Sequence, residues 1–486
     1  MYSAFNLQPA ASVGTVCLVA ALALQGCGGG GDNVLAEPQN VDVLESAALY
    51  WDAPLTPSSR LAGGTCTDLR QKQFIRSYLD EVYLWPERVQ RLDARAFTDA
   101  QRYFAAILAP PSLDRFSYSS SQAEADAWEV GAAFDAGIHW TNTGSSNAPL
   151  WRVSRVDPDS PADRQGIQRG DTLVGKVSNN LKALVGPYYY NFTYQRNGVL
   201  TTVSLTPTVV TEDPVGDHRL ITAADGRQIG YLAFDAHFGN AQDQLIEQIE
   251  ALKKAQVRDV VIDLRYNTGG YLFVAASLAS MLAPQSTVQT RPVFERLQPN
   301  LKQQALYASS VLLMSPTVLY SLDGALYREN TSLPNLNLNR VYVLTSDRTC
   351  SASESLVNGL RGIGLTVELI GNTTCGKPYG MLRRDNCGVA YFPIEFRGVN
   401  ALGRSDFLNG FEPTCQVADD LDHARGSLDE AMLKAALNHM ETGSCPASYL
   451  KASPLLSAIQ KSAPSTASTE TPPQRTRPGL SLRLPP

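Results

Sequence analysis

The sequence predicts a multidomain α/β protein, on three observations. From Arg227 onward, short apolar strands alternate with amphipathic helices. Residues 127–212 carry the alternating pattern of half-buried strands, and residues 64–126 carry helical spacing. The chain has 486 residues, enough for several domains, and its 44% apolar content supports a true core. Charged residues make up 18%, the formal net charge is −6, and no Lys- or Arg-rich patch stands out, which argues against nucleic acid as a partner.

The N-terminus reads as an export signal. Val13 to Leu24 is an apolar run too short to cross a bilayer but right for the core of a signal peptide. It ends in L-Q-G-C, Leu24 to Cys27, before four glycines, and resembles the lipobox of bacterial lipoproteins. That resemblance implies a signal peptide over residues 1–27 and a lipidated Cys27. It also implies membrane attachment in the bacterial cell envelope, as an outer-membrane lipoprotein facing the periplasm or the surface. Met1 to Ser12 lacks Lys and Arg and Gln25 is unusual in a lipobox, so plain secretion is the alternative. Residues 28–63, rich in Gly, Pro and Ala, read as a flexible tether.

Cysteine use agrees with export. Of eight cysteines, Cys17 would leave with the signal and Cys27 would carry lipid. The even remainder, Cys66, Cys350, Cys375, Cys387, Cys415 and Cys445, predicts disulfides, among fifteen possible pairings. Short local loops favour Cys375–Cys387 and Cys415–Cys445. No C-x-x-C occurs, so a zinc site has little support, and the expectation is a protein without metal or cofactor.

Along the chain, Phe74, Ile75, Tyr78, Leu79, Val82 and Tyr83 recur at spacings of three and four and predict a helix stopped by Trp85-Pro86. A second helix is expected over 99–108. Trp151 to Val156 and Thr201 to Thr206 predict strands in the β-rich region. Beyond it, strands are expected over 230–234, 260–264, 341–345 and 366–370. Helices are expected over 242–255, 271–282, 353–360 and 428–440, which implies largely parallel pairing. Residues 446–486 form a Ser/Thr/Pro-rich tail, expected to be disordered.

For chemistry, the chain has no G-x-S-x-G and no H-E-x-x-H. Its five histidines, His139, His218, His237, His423 and His439, lack a catalytic context; His237, just after a strand, is the least settled. G-N-T-T-C-G-K, Gly371 to Lys377, imitates a P-loop, but Pro378 replaces the Ser or Thr that holds Mg²⁺ and lacks an N–H. What remains is C-S-A-S-E-S-L-V-N-G, Cys350 to Gly359, between a strand and a helix, with Lys377 in the loop after the next strand. A serine at a helix start has unpaired backbone N–H groups beside it that can stabilise an oxyanion. A neutral lysine can take its proton if burial lowers the amine from about 10.4 toward 7 or 8, roughly 4 kcal/mol. If the two strands are neighbours, Ser351 and Lys377 meet above the sheet. A serine-rich helix cap with a surface lysine would show the same spacing.

S-A-S-E followed by G-K after an intervening strand, D-L-R-Y-N-T-G-G (Asp263 to Gly270) and S-P-A-D-R-Q-G-I-Q-R-G-D-T-L (Ser160 to Leu173) together resemble the C-terminal processing (tail-specific) peptidases, over residues 66–445. The resemblance implies a crotonase-like α/β catalytic core over 213–445, preceded by a PDZ-type peptide-binding domain over 127–212 and a helical segment over 64–126. It implies Ser351 as nucleophile, Lys377 as general base, and an oxyanion hole from the backbone N–H of Ala352 with Gly269 or Gly270. Glu354 and Asn267 are supporting residues, and Ser353 is the rival nucleophile. The PDZ loop is expected at Ala133 to Ile138. The substrate would be an unfolded or C-terminally exposed polypeptide, cleaved near its end through an acyl-enzyme. The chain departs from the family pattern at Met381, where members often carry Gln, and at Arg361 to Gly364, where some carry an acid. That departure keeps a second reading open, an inactive peptide- or ligand-binding envelope protein.

Overall fold

A computed structural model describes residues 51, 55–145, 148–179, 190–216, 218–307 and 310–446. Trp51 apart, these belong to one compact unit beginning at Leu55. The expected signal peptide, most of the tether, and the tail beyond 446 lie outside the described residues. The end of the tether is an exception. Ser58–Leu61 forms a helical turn in which Ser58 N and Oγ donate to Glu81 at 2.7 and 2.5 Å, so this part is packed rather than a linker.

The helical segment contains α1 (Asp68–Val82), capped by Thr67, and α2 (Ala100–Ile107), capped by Asp99. α1 stops before Trp85-Pro86, as expected. The segment also supplies an unexpected strand, Tyr118–Ser121, which pairs antiparallel with Val389–Phe392, far along the chain.

The β-rich region is a five-stranded antiparallel sheet of β1 (Ile138–Asn142), β2 (Trp151–Val156), β3 (Thr172–Asn179), β4 (Tyr190–Arg196) and β5 (Val199–Leu205), in that order. Its small core holds Ile138, Trp140, Val153, Phe192, Tyr194 and Leu205. The first strand, β1, lies at the sheet edge.

The α/β region holds β6 (Arg219–Thr222), β7 (Gln228–Ala233), α3 (Ala241–Lys254), β8 (Asp259–Asp263) and α4 (Leu272–Leu282). These are followed by β9 (Val293–Pro299), β10 (Arg340–Thr345), α5 (Ala352–Gly362), β11 (Thr366–Gly371), β12 (Tyr379–Met381), β13 (Ile394–Val399), β14 (Cys415–Gln416) and α6 (Ala431–Thr442). Six strands form a sheet ordered β14-β11-β10-β8-β7-β6, parallel except for β6. On one face Tyr231, Val261, Tyr342, Leu344 and Ile370 pack on Met432, Leu433 and Ala436 of α6. Val260, Ile262, Val341 and Val343, on the other face, are equally buried. Burial on both faces explains why these strands read as continuous apolar runs.

A second sheet, unanticipated from the sequence, joins Val311–Leu313, β9, β13 and β12. Its central pair, β9 with β13, joins segments about a hundred residues apart, and its outer strands are only three residues long, so local periodicity does not reveal them. It matters because β12 begins two residues after Lys377 and is held on β13 by Tyr379 opposite Arg397.

The disulfides correct one expectation. Cys415–Cys445 forms as expected, but Cys375 bonds to Cys350, and Cys387 bonds to Cys66 across 321 residues. Cys387 sits at a hairpin turn between Arg384–Asn386 and Val389–Phe392, which carries it away from Cys375. Closure entropy grows only slowly with loop length, so sequence proximity was a weak guide.

Burial pushes the Glu295 carboxyl on β9 up to about 7, and its Oε2 has no hydrogen-bond partner. An unfolded glutamate titrates near pH 4.3. Between these values the folded chain holds a proton that the unfolded chain has lost, so this contribution to stability is full below pH 4.3 and disappears as pH rises through about 7. Glu295→Gln is therefore expected to raise stability at pH 8 by roughly 3–4 kcal/mol and to leave it little changed at pH 4. Urea unfolding of both proteins at the two pH values checks this; an equal effect at both would contradict it.

Candidate active site

The site forms where three loops leave the C-terminal ends of adjacent parallel strands. β10 and β11 pair in register from Arg340 opposite Thr366 to Thr345 opposite Gly371. The turn carrying Ser351 and the loop carrying Lys377 therefore leave the sheet side by side. The third loop, Leu264 to Gly270, follows β8, the other neighbour of β10.

Ser351 sits immediately before α5 with φ 56° and ψ −116°. A positive φ at a non-glycine residue costs free energy and persists only where the surroundings enforce it. Here they do. Cys350 N donates to Asn267 O at 3.1 Å, Thr349 Oγ1 donates to Leu264 O at 2.8 Å, and Cys375 N donates to Thr349 O at 3.0 Å. Ser351 is partly exposed, whereas Ser353 is fully buried and donates its hydroxyl to Asn267 O at 3.0 Å. The rival serine is thus engaged in holding the turn.

Glu354 ties the nucleophile turn to the lysine loop. Its carboxylate is fully buried, and Oε2 accepts from the backbone N–H of Ser351 at 3.1 Å and of Lys377 at 2.8 Å. Oε1 accepts from Gly376 N at 2.8 Å and from Thr374 Oγ1 at 2.5 Å. Burial pushes this carboxyl up, and the bonds from Thr374, Lys377, Gly376 and Ser351 pull it back. The Cys350–Cys375 disulfide joins the same two segments covalently, one residue before Ser351 and two before Lys377.

Lys377 is partly exposed. Its Nζ lies 4.0 Å from the Met381 sulfur and 5.6 Å from the centre of the Phe116 ring. Met381, the departure noted in the sequence, therefore offers a weakly accepting thioether beside the amine.

The glycine loop approaches Ser351 as closely as backbone can. A Cβ on Gly269 would fall 2.8 Å from the Ser351 Cβ and 2.9 Å from Ala352 N, so no other residue fits there. Gly269 N donates to Asn267 Oδ1 at 2.9 Å, which engages the N–H that was a candidate for the oxyanion hole. Asn267 also donates from Nδ2 to Phe234 O at 3.0 Å. Since Asn267 Oδ1 is an acceptor, the His237 Nδ1 at 2.9 Å carries the proton, and its Nε2 is a bare lone pair. Burial lowers this histidine to about 3, so it is neutral. His237 grips the glycine loop through its backbone too, donating to Gly269 O at 3.1 Å and accepting from Tyr271 N at 2.8 Å. The sequence hinted at His237 only by its position after a strand. Nothing in the sequence pointed to Phe116. For the disulfide, the signal was a cysteine beside each of the two candidate residues.

Behind the loops lies a buried ionic cluster. Arg265, wholly buried, pairs with Asp263 at 2.9 Å and with Glu430 and Asp419 at 2.8 Å each. Glu430 also caps α6 by accepting from Leu433 N at 2.9 Å. The guanidiniums of Arg265 and Arg425 hold the Asp263 carboxyl well below its ordinary range, against the opposing effect of burial.

Residues 228–385 match the family model for peptidase family S41, and residues 70–118 match the peptidase S41 N-terminal domain. The chain carries domains of peptidase family S41. Ser351, Glu354, Lys377 and the glycine loop all lie within the longer S41 match. A curated relative, the carboxyl-terminal-processing protease of Picosynechococcus sp. (strain ATCC 27264 / PCC 7002 / PR-6), is 25% identical over 240 residues. The aligned region is 45% of this chain and 49% of the relative, so the chain spans about half the length of the curated protein it matches. Among solved structures, a Bacteroides fragilis NCTC 9343 protein described as an S41 protease is similar with TM-score 0.57 at 23% identity, over 76% of this chain and 97% of that one. The photosystem II D1 C-terminal processing protease aligns over 76% and 97% with TM-score 0.45 and 18% identity. The fold is thus the mixed α/β, multidomain architecture of the S41 protease structure.

Glu354→Ala would leave three backbone N–H groups, that of Gly376 buried and those of Ser351 and Lys377 part-buried, without their acceptor. It is expected to destabilise the chain by about 2–4 kcal/mol. Urea unfolding measures this, and a loss under about 0.5 kcal/mol would show that the carboxylate does not hold the loops.

Proposed function

We propose that this S41 protein is a serine endopeptidase that cleaves polypeptides near their C-termini, with Ser351 as nucleophile and Lys377 as general base. The observation that carries this reading is the shared carboxylate: one oxygen of Glu354 accepts from the backbone of both residues at adjacent strand ends. A serine hydroxyl needs an adjacent base to attack a carbonyl. In this mechanism Ser351 Oγ attacks the scissile carbonyl carbon as Lys377 Nζ takes its proton. The amine then returns the proton to the leaving nitrogen, and water releases the acyl group by the same route. The developing oxyanion faces the N–H of Ala352, at the start of α5, where no intrahelical partner is available. With Gly269 N engaged by Asn267, Gly270 is the glycine that supplies the second donor.

The β-rich domain is assigned as the PDZ-type module. Its edge strand β1 leaves one side open to an extended peptide, and Ala133 to Ile138, expected as a loop but paired through Ala133–Asp135 with Thr208–Val210, leads into that edge. The sequence features at residues 1–27 support export and a lipid anchor at Cys27 in the cell envelope. The Met381 thioether beside Lys377 favours the alternative of an inactive, peptide-binding protein, since it is a poor orienting acceptor for the amine.

The two readings diverge in a casein hydrolysis assay. The peptidase predicts that Ser351→Ala and Lys377→Ala each lower kcat roughly a thousandfold or more with the fold retained. Turnover that survives Ser351→Ala, or none in the wild type, favours the binding protein.

A further inference from the structure

We propose that the Cys350–Cys375 disulfide is a positioning element of the active site, so that the peptidase works with this bond intact and is switched off by its reduction. The proposal rests on the assignment of Ser351 and Lys377 above.

The argument starts from where the bond lies. Cys350 precedes the strained Ser351, and Cys375 precedes Lys377 by two residues, with Cα atoms 5.2 Å apart. The bond therefore fixes the spacing of the two backbones that carry the reacting groups. Among the described residues the other restraints between these loops are non-covalent: the Glu354 carboxylate, the bond from Cys375 N to Thr349 O at 3.0 Å and, at the loop bases away from the reacting groups, Asn372 N to Thr345 O at 3.0 Å and Thr345 Oγ1 to Asn372 O at 2.8 Å. Neither of the other disulfides joins these two loops. Cys66–Cys387 ties the start of α1 to a hairpin, and Cys415–Cys445 ties β14 to the chain after α6. Nucleophile and base must stay within hydrogen-bond reach, and a displacement of about 1 Å can cost roughly a hundredfold in rate. A cross-link at this position thus acts on kcat more than on substrate binding.

Cys350 is 3% exposed while Cys375 is half-buried, so Cys375 is the half of the bond nearer solvent and the one an incoming thiolate approaches; its sulfur lies 3.4 Å from Glu354 Oε2. A dithiol reductant attacks there, forms a mixed disulfide with Cys375, and expels Cys350 as a thiolate that takes a proton. The second thiol of the reductant then closes on the first, releasing Cys375. Two electrons and two protons pass to the protein, which ends with two thiols, and the reductant leaves as its cyclic disulfide.

The test uses the full chain, fluorescent casein and dithiothreitol. Alkylation and peptide mapping report which cysteines are free. Conversion of Cys350 and Cys375 to thiols is expected to lower kcat at least about tenfold with KM within about twofold. Reoxidation is expected to restore it, and circular dichroism to show the fold retained. Labelling of Ser351 by a fluorophosphonate should slow in parallel. The Cys350→Ala/Cys375→Ala variant should show the low rate and ignore dithiothreitol, whereas Cys66→Ser/Cys387→Ser should still respond. An active wild type whose kcat is unchanged with both thiols mapped as free overturns this proposal alone. A wild type that neither hydrolyses casein nor takes the fluorophosphonate when oxidised sinks both this and the peptidase assignment.

Discussion

The candidate site depends on a single buried carboxylate. Glu354 lies one turn into α5, yet its bonds reach back to Ser351 N and across to Gly376 and Lys377 N. Removing a carboxylate from water is costly, and burial pushes this one up. Four donors offset that cost, and each donor belongs to one of the two loops that must stay together. The desolvation penalty and the geometry of the site are therefore coupled: moving either loop would strand the charge.

Three tiers of support surround it. The parallel pairing of β10 with β11 starts both loops from one level of the sheet. Asn267 joins the glycine loop to Phe234 and His237 on one side and to the Ser351 turn on the other. The ionic cluster of Arg265, Asp263, Asp419 and Glu430 ties the end of β8 to α6. Such buried pairs add little net stability over apolar packing, but losing one partner is expensive, so they resist alternative arrangements. Rigidity at the loop bases allows the strained backbone of Ser351 to persist.

Much of this was legible residue by residue. The helices of the α/β region and its buried strands fall within a few residues of their expected bounds, because their apolar periodicity is strong and they are packed on both sides. The sites of Ser351 and Lys377, at the ends of consecutive strands, followed from the same pattern. The strand at Tyr118–Ser121 and the pairing of β9 with β13 were not legible, because they join segments far apart in the chain, and the short strands Val311–Leu313 and Tyr379–Met381 carry too little periodicity to show themselves. Nor was the pairing of Cys375, where a nearby cysteine looked the better partner and the fold turned it away.

By itself the sequence determined the helices and the buried parallel strands of the α/β region, which residues are chemically able to act, and that a parallel α/β core would present them at strand ends. Tertiary structure alone decided which loops meet, that Cys350 rather than Cys387 joins Cys375, that Ser353 is spent on Asn267, and that Asn267 takes the Gly269 N–H. The physical reason is one of range. Periodicity and turn chemistry act over a few residues, whereas the order of strands in a sheet, and so the company each loop keeps, is set by how whole elements bury their faces against one another.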